Sequence, residues 1–134
     1  METTYLNVDC ILQSKQSLAD IVSCLENDIF VLWNESNDEG NSIGFETKLI
    51  NTKAPQTDIE KFLNMFESLP STLLILLKNC KKKVFDVGFE SGNQGQQLDT
   101  LIDATTIKRL SELGFSIGIR IYPAKTIGDV PQKQ

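Results

Sequence analysis

Val84-Phe85-Asp86-Val87-Gly88-Phe89-Glu90 is the stretch on which the fold reading turns. Phe85, Val87 and Phe89 alternate with Asp86, Gly88 and Glu90, the two-residue period of a strand with one apolar and one polar face. The same period runs through Tyr5 to Leu12, where Leu6, Val8, Cys10 and Leu12 oppose Tyr5, Asn7 and Asp9. It returns in Phe115 to Tyr122, where Phe115, Ile117, Ile119 and Ile121 oppose Gly118, Arg120 and Tyr122. These three strands predict one core holding Leu6, Val8, Phe85, Val87, Ile117, Ile119 and Ile121. A sheet covered on both faces would read as near-continuous apolar runs, so the alternation predicts helices mainly on one face. Only Ile29 to Trp33 is a continuous apolar strand, which predicts a central position for it.

The segments between fill in the order. Ser17 caps a helix bearing Leu18, Ile21, Val22 and Leu25. The polar stretch Asn34 to Asn41 reads as a hairpin loop, and Ser42 to Ile50 as a returning strand with Ile43, Phe45 and Leu49 on one side. Asn51 to Gln56 reads as a loop, and Thr57 with Glu60 as a capping box for a helix carrying Ile59, Phe62, Leu63 and Phe66. Pro70 ends that helix and opens the next, Ser71 to Asn79. Gln97 to Ile102 reads as a short strand with Leu98 and Ile102 inward. Asp103 and Gly114 then bound a helix with Ile107, Leu110 and Leu113. The expected class is α+β, α/β-like in its crossovers. It has one mixed six-stranded sheet in the order β-α-β-β-α-α-β-β-α-β. Residues 1–123 form a single domain and 124–134 a flexible C-terminal tail.

The composition removes several chemistries. The 134 residues contain no histidine, so Ser-His-Asp and Cys-His catalysis and histidine-ligated metal sites are excluded within one chain. Cys10, Cys24 and Cys80 show no CxxC spacing and are one too few for an all-cysteine zinc site. No cofactor, metal or catalytic residue is expected. The odd cysteine count and the absence of a basic-then-apolar leader point to the cytoplasm. The longest apolar runs, Ile29 to Trp33 and Leu73 to Leu77, fall far short of the ~20 residues of a membrane span. The cysteines read as small hydrophobes; the alternative is a reactive thiol at Cys80, beside Lys78, Lys81, Lys82 and Lys83. The Lys81-Lys82-Lys83 run, at an expected helix end, reads as a complement to the helix dipole rather than a phosphate or RNA contact.

Charge and face then point to a binding surface. The net charge is −5 and the pI about 4.7. Residues 1–67 hold twelve acids and four lysines, whereas residues 68–134 hold six acids and nine basic residues. This balance argues against nucleic acid and anionic lipid as partners and fits a basic protein partner; a homodimer is also compatible with the chain. The expected open face displays Tyr5, Asn7, Asp9, Glu46, Lys48, Asp86, Glu90, Asp99, Arg120 and Tyr122. Asp9, Asp86, Glu90, Arg120 and Tyr122 are its expected binding residues, Tyr and Arg being enriched at interface centres. Carboxylate pairs, Asp86 with Glu90 or Asp9 with Asp99, would serve acid/base work if they met in a cleft.

The stretch Val84 to Glu90, followed by Leu113-Gly114-Phe115-Ser116-Ile117-Gly118-Ile119-Arg120-Ile121-Tyr122-Pro123, is similar to small uncharacterised bacterial proteins, some grouped with the immunity proteins of polymorphic toxin systems. The resemblance implies a cytoplasmic, non-catalytic protein that binds a partner, and it transfers no site residues. The expectation is a non-enzymatic interaction module of the immunity type. The alternative is a small-molecule-binding or carboxylate-based enzymatic α/β domain.

Overall fold

In the computed structural model, which describes residues 2–48, 53–93, 95 and 97–124, the alternating stretches become strands of one sheet. The elements are β1 (Thr4–Ser14), α1 (Ala19–Leu25), β2 (Ile29–Asn37), β3 (Gly40–Thr47), α2 (Pro55–Glu67), α3 (Ser71–Lys78), β4 (Lys82–Glu90), α4 (Ala104–Glu112) and β5 (Ser116–Tyr122). The strand order is β2-β3-β1-β4-β5. β1 runs antiparallel to both β3 and β4, β2 antiparallel to β3, and β5 parallel to β4. The fold is therefore α+β with a mixed sheet, as expected.

The sheet has five strands among the described residues, not six, and the element order changes accordingly. Residues 97–102 stay outside it: Leu98 and Leu101 are exposed, and Gln97 Nε2 donates to Asp99 Oδ2 at 3.0 Å. β5 occupies the place beside β4 that a returning strand would need, and α4 makes the β4-to-β5 crossover. β2 is not central but an edge. β3 inserts between β1 and β2, and Phe30, Val31 and Leu32 are exposed. An irregular register between Val31 and Trp33 also breaks the alternation there, which is why the run reads as continuous.

One aromatic stack ties the helices to the sheet. Phe85 of β4 lies 4.4 Å from Phe115, which is 5.4 Å from Phe66 of α2; Phe62 of α2 lies 5.4 Å from Phe85. Val8, Cys10 and Leu12 of β1, Ile43 and Phe45 of β3, and Val87 of β4 join the same core, with Ile21, Leu77 and Leu110 from α1, α3 and α4. Three expected core residues are not in it. A register shift between Tyr5 and Asn7 turns Leu6 outward, where it is 46% exposed. Tyr5, expected outward, packs inward instead: its ring meets Phe89 edge-on at 5.8 Å and its hydroxyl donates to Asp58. Ile119 and Ile121 are 68% and 65% exposed, because β5 is an edge strand and only Ile117 packs against the core.

The caps divide similarly. Asp103 Oδ1 accepts from Thr106 N at 2.8 Å, and Gly114 ends α4 with φ 81°, as expected. The capping box does not form, because Pro55 starts α2 from an Ala54 N-cap and leaves Thr57 and Glu60 inside the helix. Ser17 Oγ accepts from Ala19 N one residue ahead of the Leu18 N-cap. Lys83 supports the structural reading of the lysine run, since its Nζ donates to the carbonyls of Lys78 at 2.6 Å and Cys80 at 3.1 Å. Gly114 leaves room for that lysine; a Cβ there would lie 2.9 Å from Lys83 Cε. Cys10 and Cys80 are buried and Cys24 is exposed. Burial pushes the Cys80 thiol up despite Lys83, which opposes a reactive thiolate. In Leu73 to Leu77 only Leu77 is fully buried, and Ile75 is exposed. Among the described residues no helix is long and apolar enough to cross a membrane. Leu49 and the expected tail from residue 125 onward lie outside the described residues.

Candidate functional site: the open face of the sheet

Pairing across β3, β1 and β4 lines up like charges. Asp9 lies directly opposite Asp86 of β4, and the register of Cys10 with Phe45 sets Asp9 beside Glu46 of β3. Carboxylates opposite one another on adjacent strands repel. Two donors offset part of this. Asn7 Nδ2 donates to Asp9 Oδ1 at 3.2 Å and lies 3.5 Å from Glu46 Oε2, and Arg120 Nη2 lies 3.4 Å from Asp86 Oδ2. Burial, then Glu46 and Asp86, push the Asp9 carboxyl up to about 6 against the opposing pull of Arg120.

A groove of about 740 Å³ opens above this row, lined by Leu6, Asn7, Asp9, Glu46, Glu90, Tyr122, Pro123 and Ala124. Gly88 lies between two of the lining side chains, Asn7 and Tyr122. A Cβ there would sit 3.1 Å from Asn7 Oδ1 and 3.8 Å from Tyr122 Cε2. Of the five expected binding residues, Asp9, Glu90 and Tyr122 line the groove. Asp86 and Arg120 stand beside it, paired with each other. Asp86 and Glu90 are four residues apart on one strand, about 13 Å, so Asp86, Glu90 and Arg120 do not converge in a cleft. Asp99 sits in the exposed segment after β4, bonded to Gln97, and does not pair with Asp9. Lys48 stands over the Phe30 ring, 5.5 Å from its centroid.

Sequence reasoning placed Asn7 and Glu46 on this face without singling them out, and it missed Leu6, Pro123 and Ala124. Next to the acidic row the face carries a small apolar area. Trp33 lies over Gly44, where a Cβ would meet the indole at 2.3 Å, and Ile11 sits between Gly44 and Val84 in the sheet register. Trp33 Nε1 donates to Ser42 Oγ at 3.3 Å, which fixes the ring. The face thus offers an acidic groove with Leu6 and Tyr122 as apolar walls next to a small hydrophobic area, a combination suited to a cationic group carried on an apolar stem. Among the described residues no group of three or more Cys, Asp or Glu side chains is arranged to hold a metal ion. No protein-family model, no curated protein and no solved structure matches this chain.

Proposed function

We propose that this protein is a non-enzymatic interaction module whose open sheet face receives a cationic segment of a basic protein partner, as an inhibitor of the immunity type would. The observation that carries this reading is the row Glu46-Asp9-Asp86, a set of like charges at a groove that an incoming lysine or arginine would relieve. The acidic balance opposes partners that present phosphates, whether nucleic acid or lipid, and the reading fits a cytoplasmic protein. The test is capture from a lysate of the source cells with wild-type protein and with the double variant Asp9→Asn/Glu90→Gln. Association rates are then measured for the captured partner at about 50 and 500 mM salt. A basic partner whose on-rate falls with salt, and falls about tenfold or more in the double variant at low salt, supports the reading. An unchanged rate and salt slope would overturn it.

A second reading, a small-molecule or carboxylate-based enzymatic site, is favoured by one observation. Asp9 at about 6 lies close enough to neutral pH to exchange a proton during chemistry. It requires saturable binding of a small cationic compound, lost in Asp9→Asn, in the absence of any protein partner.

A further inference from the structure

We propose that the outer edge of β5 is a self-association surface, on which a second copy of this chain adds its own β5 antiparallel and joins two five-stranded sheets into one. The backbone sets the geometry. Ser91 N donates to Tyr122 O at 2.8 Å, so the Tyr122 peptide faces β4. Alternation turns Arg120 and Gly118 the same way and aims the N–H and C=O groups of Ile117, Ile119 and Ile121 at the side that no other described strand pairs. The strand carries no lysine, proline or bulge of the kind that guards an edge.

The side chains are self-complementary in one register. With the two-fold axis at Ile119, that residue meets itself and Ile117 meets Ile121, so the isoleucines of both copies form one row. This row covers the side chains that the fold leaves most exposed on β5. All three outward-facing residues then exchange backbone bonds with the second copy. On the other sheet face Arg120 meets Gly118 of the second copy, whose neighbour on β4 is Asp86. The missing side chain at Gly118 opens the way: a Cβ there would lie 3.8 Å from Asp86 Oδ1. Each Asp86 thereby gains a second guanidinium. Centring the axis on Arg120 instead would oppose the two arginines, so charge disfavours that register. The opposite edge, β2, has an irregular register between Val31 and Trp33, which interrupts the regular pairing that a second copy would need there.

The test is sedimentation of the full chain at about 10–100 µM. The expected species has twice the 15.0 kDa chain mass. Ile119→Lys, at an exposed position, should give a monomer with an unchanged circular dichroism spectrum. Arg120→Asp should raise the dimer Kd about tenfold or more, whereas Phe30→Lys on β2 should leave it unchanged. A gain-of-signal variant covers the case in which Ile119→Lys fails to fold. In a Cys24→Ser background, Ile119→Cys should cross-link on oxidation, because paired residues of this kind bring Cα atoms within about 5.5 Å. A wild-type chain that stays monomeric throughout, a dimer that survives Ile119→Lys, or no cross-link through position 119 would overturn the proposal.

Discussion

Asp9→Asn should make this protein more stable at neutral pH, although it removes a charge from a polar face and deletes no repulsive bulk. Asp9 stands between Glu46 and Asp86, and its carboxyl is pushed from 3.8 to about 6. A folded-state value above the unfolded one means that between about pH 4 and 6 the folded chain keeps a proton that the unfolded chain has released. The penalty is therefore absent below the unfolded value, grows through that window and is complete above it. At 1.36 kcal/mol per pH unit the full displacement corresponds to about 3 kcal/mol. Asp9 is only partly buried, so solvent screens its neighbours and about 1–2 kcal/mol is expected. Asparagine mimics the protonated acid and keeps an oxygen for the Asn7 amide, which now donates to Asp9 Oδ1. Urea unfolding at pH 4, 5, 6 and 7.5, followed by far-ultraviolet circular dichroism, would read the difference as a shift in midpoint at constant slope. The variant should match the wild type near pH 4 and exceed it by about 1–2 kcal/mol at pH 7.5. A variant less stable at pH 7.5, or a gap that does not change with pH, would refute the account of the carboxylate row.

Phe85→Ala should cost about 3–5 kcal/mol, since the side chain is fully buried between Phe62 and Phe115, whereas Ile119→Ala in dilute solution should stay within about 0.5 kcal/mol. Thermal melts of the two variants separate a core face from an edge. Gly44→Ala should cost about 1–3 kcal/mol and shift Trp33 fluorescence to longer wavelength, because the new methyl must displace the indole that covers it. Arg109→Ala should cost about 0.5–1 kcal/mol and less at high salt, removing an exposed guanidinium that bonds Glu67 at 2.7 Å and Asn64 at 2.8 Å. The hydrogen bond from Arg109 holds the Glu67 carboxyl below its ordinary 4.5, so this contribution should be present above that pH and fade below it.

Much of the sheet was legible because β1 alternates over Leu6 to Cys10 and β4 over Phe85 to Phe89, and each buries one face from Val8 and Phe85 onward. What failed depended on partners that a local pattern does not contain. Ile119 and Ile121 alternate as well as any core residue, but alternation cannot distinguish an edge strand from an inner one. Leu6 reads inward until pairing with β4 introduces the register shift that exchanges it with Tyr5. The missing strand at residues 97–102 had two apolar positions in its favour and lost its place to β5, a long-range choice. In the site, Asp9, Glu90 and Tyr122 followed from strand polarity alone. The weight of Glu46 and Asn7 emerged only when β3 was set beside β1. Pro123 and Ala124 line the groove from beyond the strand that the pattern could read.

The strand made first is the one that ends in the middle. For Cys10 of β1 the neighbours across the sheet are Phe45 and Phe85, so the second partner is translated 75 residues later. At roughly 5–20 residues per second that delay is about 4–15 s. During it the β2–β3 hairpin can close on itself, while Val8, Cys10 and Leu12 lack the strand that completes their cover. A nascent chain stopped before Lys82 thus carries only β2, β3 and β1, with the strand that will lie at the centre still a bare edge. The interval before β4 appears is when this chain is most exposed to aggregation and to capture by chaperones.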